Sequence, residues 1–128
     1  MAAAYLRKAL PDKCTITSAG LAAVEGAPAQ ETIRQLAVLQ GLDLASHEGT
    51  QLTESMALEN DLLFVMTTSQ KEELERRYPA ARGRTFLLGQ WGADEIPDPY
   101  GGEDKDYAAS DRLIREAVGE WVPKILAF

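Results

Sequence analysis

Asp61-Leu62-Leu63-Phe64-Val65-Met66 opens the stretch that decides the fold, and Phe86-Leu87-Leu88-Gly89 closes it. Leu62-Leu63-Phe64-Val65 is an uninterrupted apolar run of strand length, which predicts a strand buried on both faces. Ser69 followed by Glu72 has the spacing of a capping box and predicts a helix running to Tyr78. Phe86-Leu87-Leu88 reads as a second short buried strand, stopped by Gly89. A strand, a helix and a strand in this order form a crossover unit, whose two strands run parallel.

Outward from this unit, the other elements keep the alternation. Residues 2–10 (Ala2-Ala3-Ala4-Tyr5-Leu6-Arg7-Lys8-Ala9-Leu10) are strong helix formers stopped by Pro11. Cys14-Thr15-Ile16-Thr17-Ser18 is rich in β-branched residues and predicts a strand ending at Gly20. Pro28 suits a first helical turn, with Ile33, Leu36, Ala37 and Gln40 on one face and Gly41 as the stop. Thr53 opens a short helix through Leu58. A last helix is predicted over about residues 104–122, with Leu113, Ile114, Ala117, Val118, Trp121 and Ile125 on one stripe. Helices alternating with short apolar strands give an α/β class, a parallel sheet sandwiched between helices. The first helix lacks the strand that should precede it.

A chain of 128 residues makes one domain with a core of its own. Its 45% hydrophobic and 26% charged content is that of an ordinary globular protein. A formal charge of -7 argues against nucleic acid as a partner, because phosphates need a basic face. No apolar run is long enough to span a bilayer and no signal peptide is recognisable, so no membrane insertion is expected. The single cysteine, Cys14, rules out an intrachain disulfide and makes a reducing, cytoplasmic setting the default. With one cysteine and one histidine, a zinc site built of those ligands is not expected. Cys14 is expected to act as a small buried hydrophobe.

Beyond the second strand lies Ile96-Pro97-Asp98-Pro99-Tyr100-Gly101. Each proline fixes its own φ and pushes the preceding residue toward extended geometry, so Asp98 sits on stiff backbone. Two readings of this segment stand side by side. It is a polar turn, or it is a mount for a carboxylate that donates a proton.

The segments fall in an order that resembles the low-molecular-weight protein-tyrosine phosphatases, in particular their bacterial branch. The resemblance covers nearly the whole chain: Leu6-Arg7-Lys8-Ala9-Leu10, Thr17-Ser18-Ala19-Gly20-Leu21, Gly41-Leu42-Asp43-Leu44, Ser46-His47 and Gln51-Leu52-Thr53. It continues through Leu63-Phe64-Val65-Met66 and Leu87-Leu88-Gly89-Gln90-Trp91 to the segment around Asp98. The resemblance implies a three-layer α/β fold, its parallel sheet flanked by helices, over a single domain spanning residues 1–128. It implies a cysteinyl-phosphate mechanism without cofactor or metal. In such enzymes a thiolate from a Cys-x5-Arg loop attacks phosphorus, and an aspartate protonates the leaving phenolate. Asp98 then matches the general acid and Tyr100 the ring at the mouth of the pocket. Leu21 matches a wall for the substrate ring, and Ser18 and His47 match residues that support the phosphate loop. The partner implied is a phosphotyrosine protein, such as the tail of a bacterial tyrosine kinase.

The sequence departs from that pattern at its front. The residue six positions after Cys14 is Gly20, not arginine, so no Cys-x5-Arg occurs in the chain. By the resemblance, the first strand and the loop would stand ahead of Met1, and that strand lies inside the sheet. The sheet is therefore expected to miss its first, interior strand, with dimerisation or strand exchange as one compensation. The chain as written is expected to be an N-terminally shortened phosphatase without its nucleophile and inactive by itself. The alternative is a non-catalytic protein that binds phosphotyrosine or recruits a strand. A smaller departure is Thr50, where related sequences tend to carry arginine.

Overall fold

In a computed structural model of the chain, residues 2–10, 14–20, 35, 50–92, 94–98 and 103–127 are described. The chain opens with helix α1 (Ala2–Ala9) and reaches α2 (Glu54–Glu59), capped by Thr53, whose side chain accepts from the Met56 amide. Strand β1 (Leu63–Val65), helix α3 (Thr68–Arg77), a 3-10 turn (Pro79–Ala81) and strand β2 (Thr85–Leu87) follow. Helix α4 (Asp104–Leu126) comes last. β1 and β2 pair in parallel with Leu63 opposite Thr85, Phe64 opposite Phe86 and Val65 opposite Leu87. The strand–helix–strand unit read from residues 61–89 is thus the crossover it predicted.

Alternation along the strands divides the interior into two layers. Leu63, Val65 and Leu87 pack on the α3 side with Leu74, Tyr78 and Ala81. Phe64, Met66, Phe86 and Leu88 face the other way, into a core built by Leu6 and Leu10 of α1 and Ala117, Val118 and Trp121 of α4. Helices on both faces of a parallel sheet make the three-layer α/β arrangement. Trp121 is the centre of the second layer. Its indole N–H donates to the Leu88 carbonyl at 2.7 Å, and its ring meets Phe64 edge-on with centroids 4.7 Å apart. Arg84 closes α2 with its guanidinium, which donates to the carbonyls of Ala57, Leu58 and Asn60.

Several sequence expectations are corrected. Cys14 is exposed rather than buried, and residues 14–18 form no strand. There the Arg7 guanidinium takes the Ile16 carbonyl at 2.8 Å, and the ladder bonds appear only further on, where Gly20 and Gln51 form a parallel bridge. β1 is covered on both faces as expected, though only Val65 is fully buried and Leu63 and Phe64 are half-buried. α3 is capped by Thr67, whose side chain accepts from the Gln70 amide, and Ser69 lies within its first turn. α4 passes through Pro123 to Leu126. An interior proline costs about 3 kcal/mol, and the packing of Val122 and Ile125 against the core offsets it. The helix expected after Pro28 lies outside the described residues.

Candidate active site

The site is built where β1 and β2 both end, the carboxyl edge at which parallel sheets collect ligands. After β2 the chain folds back on itself. The Gly92 and Asp94 amides both donate to the Gly89 carbonyl, at 2.9 and 2.7 Å. Two features allow so tight a return. Asp94 adopts a left-handed φ of 59°, which aspartate tolerates better than most residues. Gly89 has no side chain, and a Cβ there would stand 2.8 Å from the Asp94 carbonyl oxygen.

The returning chain then crosses the end of β1. The Ile96 amide donates to the Met66 carbonyl at 2.9 Å, and the Ile96 side chain enters the core, 1% exposed. Glu95 accepts from the Thr68 amide at 2.7 Å, a carboxylate at the start of α3 where the helix dipole favours it. One residue after Ile96, the Pro97 carbonyl accepts from the Ser110 hydroxyl of α4 at 3.2 Å. Asp98 follows directly, with its side chain on the exposed surface. A carboxylate is thereby mounted at the strand ends on backbone tied to β1 and to α4.

Of the residues singled out from sequence, Asp98 and Ser18 lie in the described part of the molecule. Ser18 is exposed, two residues ahead of the bridge of Gly20 with Gln51. Leu21, His47 and Tyr100 lie outside the described residues. Among the described residues, no group of three or more His, Cys, Asp or Glu side chains is placed to hold a metal ion. No helix among them is long and apolar enough to cross a membrane. Trp91 is 49% exposed beside this loop. Its ring meets Trp121 edge-on and lies under the Lys124 ammonium, 4.3 Å from the ring centroid, so it is part packing group and part surface.

The sequence reading missed Glu95 and Ser110. Ser110 had a signal: it lies three and seven positions ahead of Leu113 and Ala117, on the apolar stripe of α4, and is 5% exposed. A hydroxyl on such a stripe needs an acceptor, and the Pro97 carbonyl is one. Asp111 beside it is equally buried. It accepts from the Tyr5 hydroxyl of α1 and pairs with Arg115 at 3.3 Å.

The sequence model of the "Low molecular weight phosphotyrosine protein phosphatase" family matches residues 1–127. A relative from Ralstonia nicotianae, "Probable low molecular weight protein-tyrosine-phosphatase EpsP", is 36% identical over 127 residues, covering 99% of this chain and 87% of that protein. The tyrosine phosphatase Wzb of Escherichia coli K30, solved in complex with sulphate, superposes with a TM-score of 0.92 at 38% identity. That match covers 97% of this chain and 87% of the other. Vibrio vulnificus Wzb, solved in complex with benzylphosphonate, gives a TM-score of 0.91 at 36% identity, over 96% of this chain and 87% of that one.

Proposed function

Because this chain belongs to the low-molecular-weight protein-tyrosine phosphatase family, we propose that its Asp98 is the general acid of phosphotyrosine hydrolysis. The observation that carries the reading is the mounting of Asp98 at the ends of β1 and β2, fixed by Ile96 on one side of Pro97 and by Ser110 on the other. In the reaction a cysteine thiolate attacks phosphorus, the bond from phosphorus to the phenolic oxygen breaks, and Asp98 gives its proton to that oxygen. In the second half Asp98 takes a proton from water as that water attacks phosphorus and the sulfur leaves. Tyr100 and Leu21 flank the substrate ring in this reading, and Ser18 and His47 support the phosphate loop. The substrate is a phosphotyrosine protein of the cytoplasm, a bacterial tyrosine kinase tail being the candidate, and the chemistry calls for no cofactor.

The nucleophile is not supplied by residues 1–128. The only cysteine, Cys14, is followed six residues on by Gly20 and faces solvent ahead of the Gly20 bridge. In this reading the chain as written holds the acid half of the catalytic pair. Sequencing the DNA ahead of the Met1 codon tests one side of this: an in-frame Cys-x5-Arg-Ser-Pro supports it, and an in-frame stop codon contradicts it. Joining a strand and such a loop to residue 1 tests the other. Aryl phosphate turnover should appear, and Asp98→Asn should lower kcat by roughly 10²- to 10⁴-fold, the usual worth of a positioned acid. Turnover indifferent to Asp98→Asn would contradict the assignment.

A further inference from the structure

We propose that Ser110 is a positioning residue for the acid: its hydroxyl sets the orientation of the peptide unit between Pro97 and Asp98, and with it the direction of the Asp98 side chain. This rests on the reading of Asp98 as general acid. Beyond its own χ1 and χ2, four backbone dihedrals govern where the Asp98 side chain points. The ring of Pro97 locks φ of residue 97. Pro99 confines ψ of residue 98 to the extended region. What remains is ψ of Pro97 and φ of Asp98, and these two together swing one rigid peptide unit between them. The carbonyl of that unit is the group that accepts from Ser110 at 3.2 Å.

Prolines at 97 and 99 also remove two backbone N–H donors from the loop. The donor comes instead from α4, thirteen positions downstream. Ser110 is well placed to be rigid, because it is 5% exposed on a helix whose next residue, Asp111, is held by Tyr5 of α1 and by Arg115. The hydroxyl therefore transmits the position of a helix anchored in the core to an exposed loop carboxylate.

The test is ¹⁵N relaxation on the 128-residue chain and its Ser110→Ala and Ser110→Thr variants. The alanine variant should let the Asp98 amide drop from the rigid range, an order parameter of about 0.85, toward the flexible range below about 0.6. Ile96, held by Met66, and Val118, in the core, should keep their values, and Ser110→Thr should restore Asp98. An Asp98 order parameter unchanged in Ser110→Ala overturns the proposal. So does a joint fall at Asp98 and Val118, which would mark Ser110 as a stabiliser of α4 alone. These signals require no turnover, so a failure of the acid assignment would show separately, as indifference of turnover to Asp98→Asn.

Discussion

Tyr5 and Asp111, 106 positions apart in sequence, share a hydrogen bond of 2.5 Å. It joins the first helix to the last, and a buried carboxylate is its acceptor. Charge-assisted bonds of this kind are short and about twice as strong as neutral ones. Tyr5→Phe leaves Asp111 paired with Arg115 through Oδ2 and takes the hydroxyl donor from Oδ1. An orphaned buried acceptor costs about 1–3 kcal/mol. Urea unfolding of the wild type and the variant measures that loss.

The same pair sets a pH dependence. Burial first, then the bond to Asp111 and its charge, hold the Tyr5 hydroxyl well above its ordinary value of 10.0. A raised folded-state pKa means the folded form keeps its proton where the unfolded form has lost it. The stabilisation is therefore complete below the ordinary value and drains away as pH climbs past it. Melting temperatures followed upward from about pH 9 should fall more steeply for the wild type than for Tyr5→Phe.

On the surface of α3 the sign reverses. Hydrogen bonds from Arg76 and then Arg77 pull the Glu73 carboxyl from 4.5 down to about 2. A depressed pKa contributes stability that is full above the ordinary value and is lost as pH falls toward the folded one. The difference in melting temperature between wild type and Glu73→Gln should be present at neutral pH, shrink as pH falls from 4.5 toward 2, and diminish in high salt.

Trp121 tests the layer beneath the site. Its N–H satisfies the Leu88 carbonyl, and its ring touches Phe64, Phe86 and Trp91. Trp121→Ala should cost about 3–5 kcal/mol, as large aromatic truncations in cores do. Trp121→Phe should cost less, chiefly the orphaned carbonyl, at about 1–3 kcal/mol. Denaturant unfolding with an unchanged slope separates these losses from a change in the unfolded state.

Much of this was legible from residues alone, and the misses have local causes. The apolar runs at 62–65 and 86–88, with a helical span between, leave a parallel pair as the way to bury both. Thr53 was readable because cap chemistry acts within a few bonds. The true cap of α3 was not, since Thr67 and Ser69 carry the same hydroxyl and the choice is made by backbone geometry at Thr67. The last helix was expected to end near residue 122, short of Leu126, because the packing of Val122 and Ile125 is tertiary. Ser110 and Glu95 take their meaning from partners 13 and 27 positions away. Cys14 was misjudged because a β-branched neighbourhood says nothing of whether a neighbouring strand lies alongside.

Our central proposal is that Asp98 serves as the acid of a tyrosine phosphatase and that residues 1–128 supply no nucleophile for it. Release of p-nitrophenol from p-nitrophenyl phosphate by the 128-residue chain, its Cys14→Ser variant and its Asp98→Asn variant tests that most directly. The account predicts no turnover by any of the three. Turnover that survives Cys14→Ser and disappears in Asp98→Asn would contradict it.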